Sequence, residues 1–191
     1  MPEQTTIGID WSMNSPAICI HTGDKDEWHF DNCTFKYFTG PKKLQVKSDK
    51  VEGWPIPDYD EACDINRWVE NSSWAGKRLS LYQNALLGME GYSYGSKGSL
   101  PFSIAENTAI LKYTIKQMFP SNKLNIFAPG AIKKFACGKG NADKNMMYDA
   151  FFKETKFDIT KVINGKPGAN PISDIVDSYF IAKLTYYNAL L

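Results

Sequence analysis

The sequence predicts an α/β fold: a mixed central β-sheet of about five strands, the first three antiparallel, flanked by α-helices. Three observations lead there. The chain opens on three β-rich runs separated by turn residues; strand-like and helical patterns then alternate to the end; and neither an internal repeat nor a low-complexity tract points to another architecture.

Thr5 to Trp11 (TTIGIDW) and Pro16 to His21 (PAICIH) are β-rich, and Ser12-Met13-Asn14-Ser15 between them is turn-forming, so the two runs pair as a hairpin. Glu27 to Phe38, with Trp28, Phe30, Phe35 and Phe38, supplies the third strand of a meander. Thr39 to Tyr59 carries Gly40, Pro41, Gly53, Pro55 and Pro57 and reads as a long surface loop, of a length that is usually functional or disordered. From about Asp60 to Leu81, Ile65, Trp68, Val69 and Leu79 recur at near-helical spacing, weakened by Gly76. Ala85 to Gly91 (ALLGMEG) is a short apolar run bounded by glycine, hence a buried strand. Pro101 to Met118 has one apolar stripe through Ile104, Leu111, Ile115 and Met118, with Ser103 or a neighbour as cap and Pro120 beyond its end, which predicts a helix. A short strand over Leu124 to Ala128 follows, then helices over Ala131 to Ala136 and Ala142 to Glu154. Asn164 to Pro171 is a loop by composition, and Ile172 to Leu190 is a closing amphipathic helix capped by Ser173.

At 191 residues and 43 % hydrophobic, the chain suits one domain over 1–191 with a substantial core. No run approaches the roughly 18 apolar residues that a membrane span requires. Met1 to Thr6 has neither the basic start nor the apolar stretch of a secretory signal, so a cytoplasmic location away from membranes is expected. Cys19, Cys33, Cys63 and Cys137 are widely spaced with no CxxC pair, and the histidines are only His21 and His29, which argues against structural zinc. The cysteines read as reduced and packed as small hydrophobes, and the histidines fall on adjacent early strands without a role.

The net charge of +1 conceals a separation along the chain. Residues 107–148 hold seven lysines (Lys112, Lys116, Lys123, Lys133, Lys134, Lys139 and Lys144) against the single acid Asp143, a local +6 that leaves −5 for the remainder. Such a block suits a phosphate backbone or, equally, a plain solvated surface.

Four acids carry the chemical argument. Ile7-Gly8-Ile9-Asp10 ends a strand on a carboxylate, and Glu90 interrupts an apolar run where an ionised group costs several kcal/mol unless paired or bound to a cation. Asp174 and Asp177 are three apart at the start of the last helix and share its face, with Ile175, Val176 and Tyr179 on the packing side. Separately each has a bland explanation: a turn-starting aspartate, a lysine-paired glutamate, first-turn acids favoured by the helix dipole. Gathered in one place they would repel, and divalent cations remove that conflict. Two magnesium ions there would activate water and stabilise the leaving 3′ oxygen of a phosphodiester.

A strand-end Asp, a strand-end Glu and a terminal Asp-x-x-Asp in this order resemble the RuvC family of Holliday-junction resolvases, within the ribonuclease H-like superfamily. The likeness is greatest to bacteriophage members, whose second acidic motif is similar to Glu90-Gly91-Tyr92-Ser93-Tyr94-Gly95-Ser96-Lys97-Gly98. Ile132 to Lys144 (IKKFACGKGNADK) is close to the family's pattern of lysine, short apolar stretch, Gly-x-Gly and lysine at a helix start. The resemblance implies a ribonuclease H-like fold, magnesium dependence with manganese as a substitute, a homodimer, and nicking of four-way and other branched DNA. It makes Asp10, Glu90, Asp174 and Asp177 the catalytic metal ligands and Lys133 and Lys144 neighbours of the scissile backbone. Lys134, Lys139 and Lys97 join them as candidate DNA contacts, as do Tyr92 and Tyr94, either of which fits the aromatic expected after the strand-end Glu. The Thr39 to Tyr59 segment is longer than a bacterial resolvase would have.

Branch- or flap-trimming by the same fold, and a non-catalytic DNA-binding module that keeps it, are the alternatives. A proofreading exonuclease would carry an acid two residues after Asp10, where Ser12 stands, and a sugar-kinase-like ATPase would need glycine in Trp11 to Ser15.

Overall fold

The structure, a computed structural model, describes residues 3–58, 64–92 and 100–191. Six strands, β1 (Glu3–Asp10), β2 (Ala17–Asp24), β3 (Cys33–Thr39), β4 (Val51–Pro55), β5 (Leu86–Glu90) and β6 (Leu124–Phe127), form one sheet in the order β4-β3-β2-β1-β5-β6. The hairpin and meander are present: β1 pairs antiparallel with β2 from Glu3↔Asp24 to Asp10↔Ala17, and β2 pairs antiparallel with β3. The remaining pairings are parallel, β3 with β4, β1 with β5 and β5 with β6.

The strand count corrects the expectation of about five. The sixth is β4, inside the segment expected to be a loop; Val51 and Gly53 are buried there despite the surrounding glycines and prolines. The third strand starts later than expected, because Phe30–Asn32 form a 3-10 turn, and His29 caps that turn while His21 lies on β2. Six helices complete the chain among the described residues: α1 (Asp64–Leu79), α2 (Leu100–Met118), α3 (Pro129–Cys137), α4 (Lys144–Thr155), α5 (Ile159–Ile163) and α6 (Ile172–Asn188). The short α5, capped by the Asp158 side chain on Thr160 N–H, is not apparent from the sequence pattern, and Ser103 lies inside α2.

Alternation of side chains along each strand divides the core into two layers. Ile7 and Ile9 of β1, Ile18 and Ile20 of β2, and Leu87 and Met89 of β5 pack with Trp74, Leu79, Leu111 and Ile115 of α1 and α2. Ala17 and Cys19 of β2 and Phe35 and Tyr37 of β3 pack with Ile175, Tyr179 and Phe180 of α6 and with α4 and α5. Thr6, Gly8 and Asp10 therefore belong to the α6 side, as do Gly88 and Glu90 by the same two-residue period. A Cβ on Gly8 would collide with Ala182 N and Ser178 O, and one on Gly88 with Thr185 Oγ1, so these glycines let α6 lie directly on β1 and β5. No described helix is long and apolar enough to cross a membrane.

Candidate functional site

Parallel register puts the first two acids side by side. Ile9 is opposite Met89 across β1 and β5, so Asp10 and Glu90 are the next residues of both strands, on the same face and at the same carboxyl end. The close approach of α6 at Gly8 then sets the start of that helix beside them, with Asp174 in its first turn and Asp177 in the next. A cleft of about 300 Å³ opens at this end, lined by Asp10, Trp11, Ser12, Met13, Glu90, Gly91 and Ile104. A larger groove of about 590 Å³ between α3 and α4 contains none of the four carboxylates. Two of the four acids with raised carboxyls line the first, which makes it, rather than the larger groove, the candidate site.

Charge crowding is visible in the acids' ionisation. Asp10 is 8 % exposed, and burial, followed by the charges of Asp174, Asp177 and Glu90, pushes its carboxyl well above the ordinary range against the pull of Lys144. Asp177 is pushed up to about 7, first by burial and then by Glu90 and Asp174, with Lys144 and Lys133 opposing. Burial also raises Glu90, where Lys133 opposes and Asp174 adds to the shift. Asp174 is raised by burial although Ser15, Lys144, Ser12 and Ser173 all favour its charged form.

Among the described residues, no ion pair involves any of these four carboxylates, so the lysine-paired alternative for Glu90 is not what the structure holds. Among the described residues, Asp174 alone of the four is tied by side-chain hydrogen bonds: its Oδ2 accepts from Ser12 Oγ at 3.1 Å and from Ser15 Oγ in a shorter contact, and its Oδ1 faces Ser173 Oγ at 3.3 Å. Ser173 is thus not the cap of α6; Pro171 occupies the N-cap, and Ser173 lies inside the first turn.

The donor set suits a hard cation, with carboxylate oxygens and no thiolate or imidazole among the four. As the side chains stand, no three His, Cys, Asp or Glu groups among the described residues converge tightly enough to cage an ion. Magnesium, which keeps several waters and takes only one or two carboxylates, does not require a closed cage. Asp10, Glu90, Asp174 and Asp177 are the residues that would hold such an ion.

The lysines divide into two groups. Lys133 on α3 is half-buried and its charge acts on Glu90 and Asp177; Lys144 at the start of α4 acts on Asp10, Asp174 and Asp177. Lys134 and Lys139 are exposed. Gly138, with φ of 74°, ends α3, and Asp143 caps α4 by accepting from the N–H groups of Asn145 and Met146, so the Gly-Lys-Gly stretch is the connection between these helices. Tyr92 is 38 % exposed, two residues beyond Glu90, with Lys112 Nζ over its ring at 4.5 Å. Tyr94 and Lys97 lie outside the described residues. Ser12, Ser15 and Asn170 were not singled out as site residues by sequence; a Ser-x-x-Ser pair two residues after a strand-end Asp is the signal that could have found two of them.

The strand order and the helix laid across β1 and β5 define a ribonuclease H-like α/β fold. Within that class the fold is RuvC-like. Thermus thermophilus RuvC superposes with a TM-score of 0.57 at 13 % identity, covering 98 % of this chain and 96 % of that one. T. thermophilus RuvC in complex with Holliday junction substrate gives 0.60 at 12 % identity over the same shares. No protein-family model matches the chain, and no curated protein matches it in sequence.

Proposed function

We propose that this chain is a structure-selective DNA endonuclease of the bacteriophage RuvC kind, a single nuclease domain over residues 1–191. It cuts four-way and other branched DNA by magnesium-dependent phosphodiester hydrolysis and works as a homodimer. The observation that carries this is the meeting of four acids from β1, β5 and α6 at one sheet end, each raised by burial and none, among the described residues, neutralised by a lysine in an ion pair. A structural cluster would be paired; an unpaired one is arranged for a cation that arrives with substrate. A structural neighbour bound to a Holliday junction supports branched DNA as the substrate class.

Bound divalent cations, magnesium or manganese, would supply the Lewis acidity that activates water and stabilises the leaving 3′ oxygen. The chain's own residues do the rest. Asp10, Glu90, Asp174 and Asp177 hold the ions, with Asp174 oriented by serine hydroxyls. Lys133 and Lys144 bring positive charge to the scissile phosphate, Lys134 and Lys139 extend that field outward, and Tyr92 offers a ring to an unpaired base.

The test offers purified protein a four-way junction, a flap and a fork with magnesium, and maps the cuts. Paired nicks at symmetric positions on the junction support resolution. Faster cutting of flaps would move the assignment to branch trimming, and binding without cutting in magnesium or manganese would leave only a DNA-binding module.

A further inference from the structure

Asn170 ends the loop before α6, and both ends of its carboxamide are in use. Its Nδ2 donates to Ser15 Oγ at 2.7 Å, while its Oδ1 accepts from Ser173 Oγ at 2.7 Å and from Lys144 Nζ at 3.1 Å. Chemistry dictates this orientation of the amide, because an ammonium only donates and must face the carbonyl oxygen. Lys144 Nζ also donates to Ser173 Oγ at 3.1 Å.

The proton count along this chain of groups has one outcome. Having accepted from Asn170, the Ser15 hydroxyl turns its single proton to Asp174 Oδ2, which Ser12 Oγ also reaches at 3.1 Å. Ser12 Oγ accepts in turn from Ser15 N–H at 3.1 Å, closing the turn after β1 on itself. The one proton of Ser173 goes to Asn170 at 2.7 Å in preference to Asp174 Oδ1 at 3.3 Å. Oδ2 is therefore saturated by two hydroxyls and Oδ1 keeps its lone pairs. Gly168, at φ 71°, lets the loop press on the start of α4: a Cβ there would lie 2.7 Å from Asn145 Oδ1 and 3.3 Å from Lys144 Cβ.

We propose that Asn170 and Ser15 are positioning residues that lock the Asp174 carboxylate with Oδ1 free for a divalent cation, while Asn170 tethers the Lys144 ammonium beside it. This rests on the nuclease function proposed above. A carboxylate left to rotate would lose affinity for the ion in the way that removal of an outer hydrogen-bond partner does, by about tenfold or more.

The test measures manganese binding to the metal-free full chain by titration calorimetry, for the parent, Ser15→Ala, Asn170→Ala, the double variant and Asp10→Asn. Each single substitution is expected to weaken binding by about tenfold. The double is expected to be no weaker than the poorer single, because both cut the same chain of hydrogen bonds. At saturating manganese, junction cleavage should lose kcat with KM for DNA unchanged. Asn170→Ser, which retains an oxygen for Lys144 but removes the amide donor, carries the same expectation should Asn170→Ala fail to melt cooperatively. Parental affinity in both singles, or losses that simply multiply in the double, overturns the positioning role while Asp10→Asn still abolishes binding. A parent that binds no manganese, or an Asp10→Asn variant that binds as the parent does, overturns the nuclease function itself and this inference with it.

Discussion

Glu52 on β4 and Glu90 on β5 are half-buried glutamates on strands of the same sheet, and their surroundings are opposite. At the edge, Lys36 Nζ lies 2.5 Å from Glu52 and Lys47 Nζ 3.9 Å away. Burial pushes the Glu52 carboxyl up, but the Lys36 hydrogen bond and charge, helped by Lys47, bring it below its ordinary value. At the centre, burial raises Glu90, and the nearby Asp174 adds to the shift while Lys133 only moderates it. The fold gives the edge carboxylate a lysine partner, whereas among the described residues the central four have none in an ion pair.

Four measurements test that contrast. The largest effect is expected in turnover: Asp10→Asn and Asp174→Asn should each slow junction cleavage on the order of a thousandfold or more, while Glu52→Gln leaves the rate unchanged. A single-turnover assay with magnesium decides it, and parental cleavage by Asp174→Asn would refute the site.

Next is the pH dependence of stability in chelator. With Asp177 pushed up to about 7, the folded chain keeps a proton that the unfolded chain releases near pH 4. That stabilisation is complete below the unfolded value and is lost as pH rises through about 7. The metal-free protein should therefore melt lower at pH 8 than at pH 5 by several degrees, magnesium should restore the loss at pH 8, and Asp177→Asn should flatten the profile. Glu52 has the reverse sign: its contribution is present above the unfolded pKa and disappears only in acid. A metal-free melting temperature that rises from pH 5 to pH 8 would contradict the central crowding.

A smaller change is expected in DNA binding. Junction affinity should fall steeply with salt, and Lys133→Ala and Lys144→Ala should each reduce the slope of log affinity against log salt by about one. Fluorescence anisotropy across a salt series measures this, and an unchanged slope would remove these lysines from the DNA face. The smallest effect is at the edge: Glu52→Gln should cost up to about 1 kcal/mol, a fall in melting temperature of about 2–4 °C, with no dependence on magnesium.

Much of this was legible in the residues. The β1–β2 hairpin follows from two β-rich runs around a polar turn, and α2 and α6 follow from their apolar stripes, although Ser103 and Ser173, the expected caps, both lie inside the helices. Glu90 stood out by interrupting an apolar run, and Asp10, Asp174 and Asp177 only in combination with it. β4 was hidden because Gly53 and Pro55 read as loop, and its pairing with β3 is a parallel edge contact that no local signal encodes. The orienting groups of Asp174 were hidden for a related reason: Ser12 and Ser15 look like turn residues and Ser173 like a cap, and their partners lie up to 162 positions away.

Local chemistry settles the elements and the residue types at their ends, because strand alternation, helix periodicity and turn preference act over a few neighbours. It cannot settle which carboxylate is answered by a lysine and which is left unanswered. That follows from register across β1 and β5 and from two glycines that admit α6, distances of a few ångströms created only when remote segments pack.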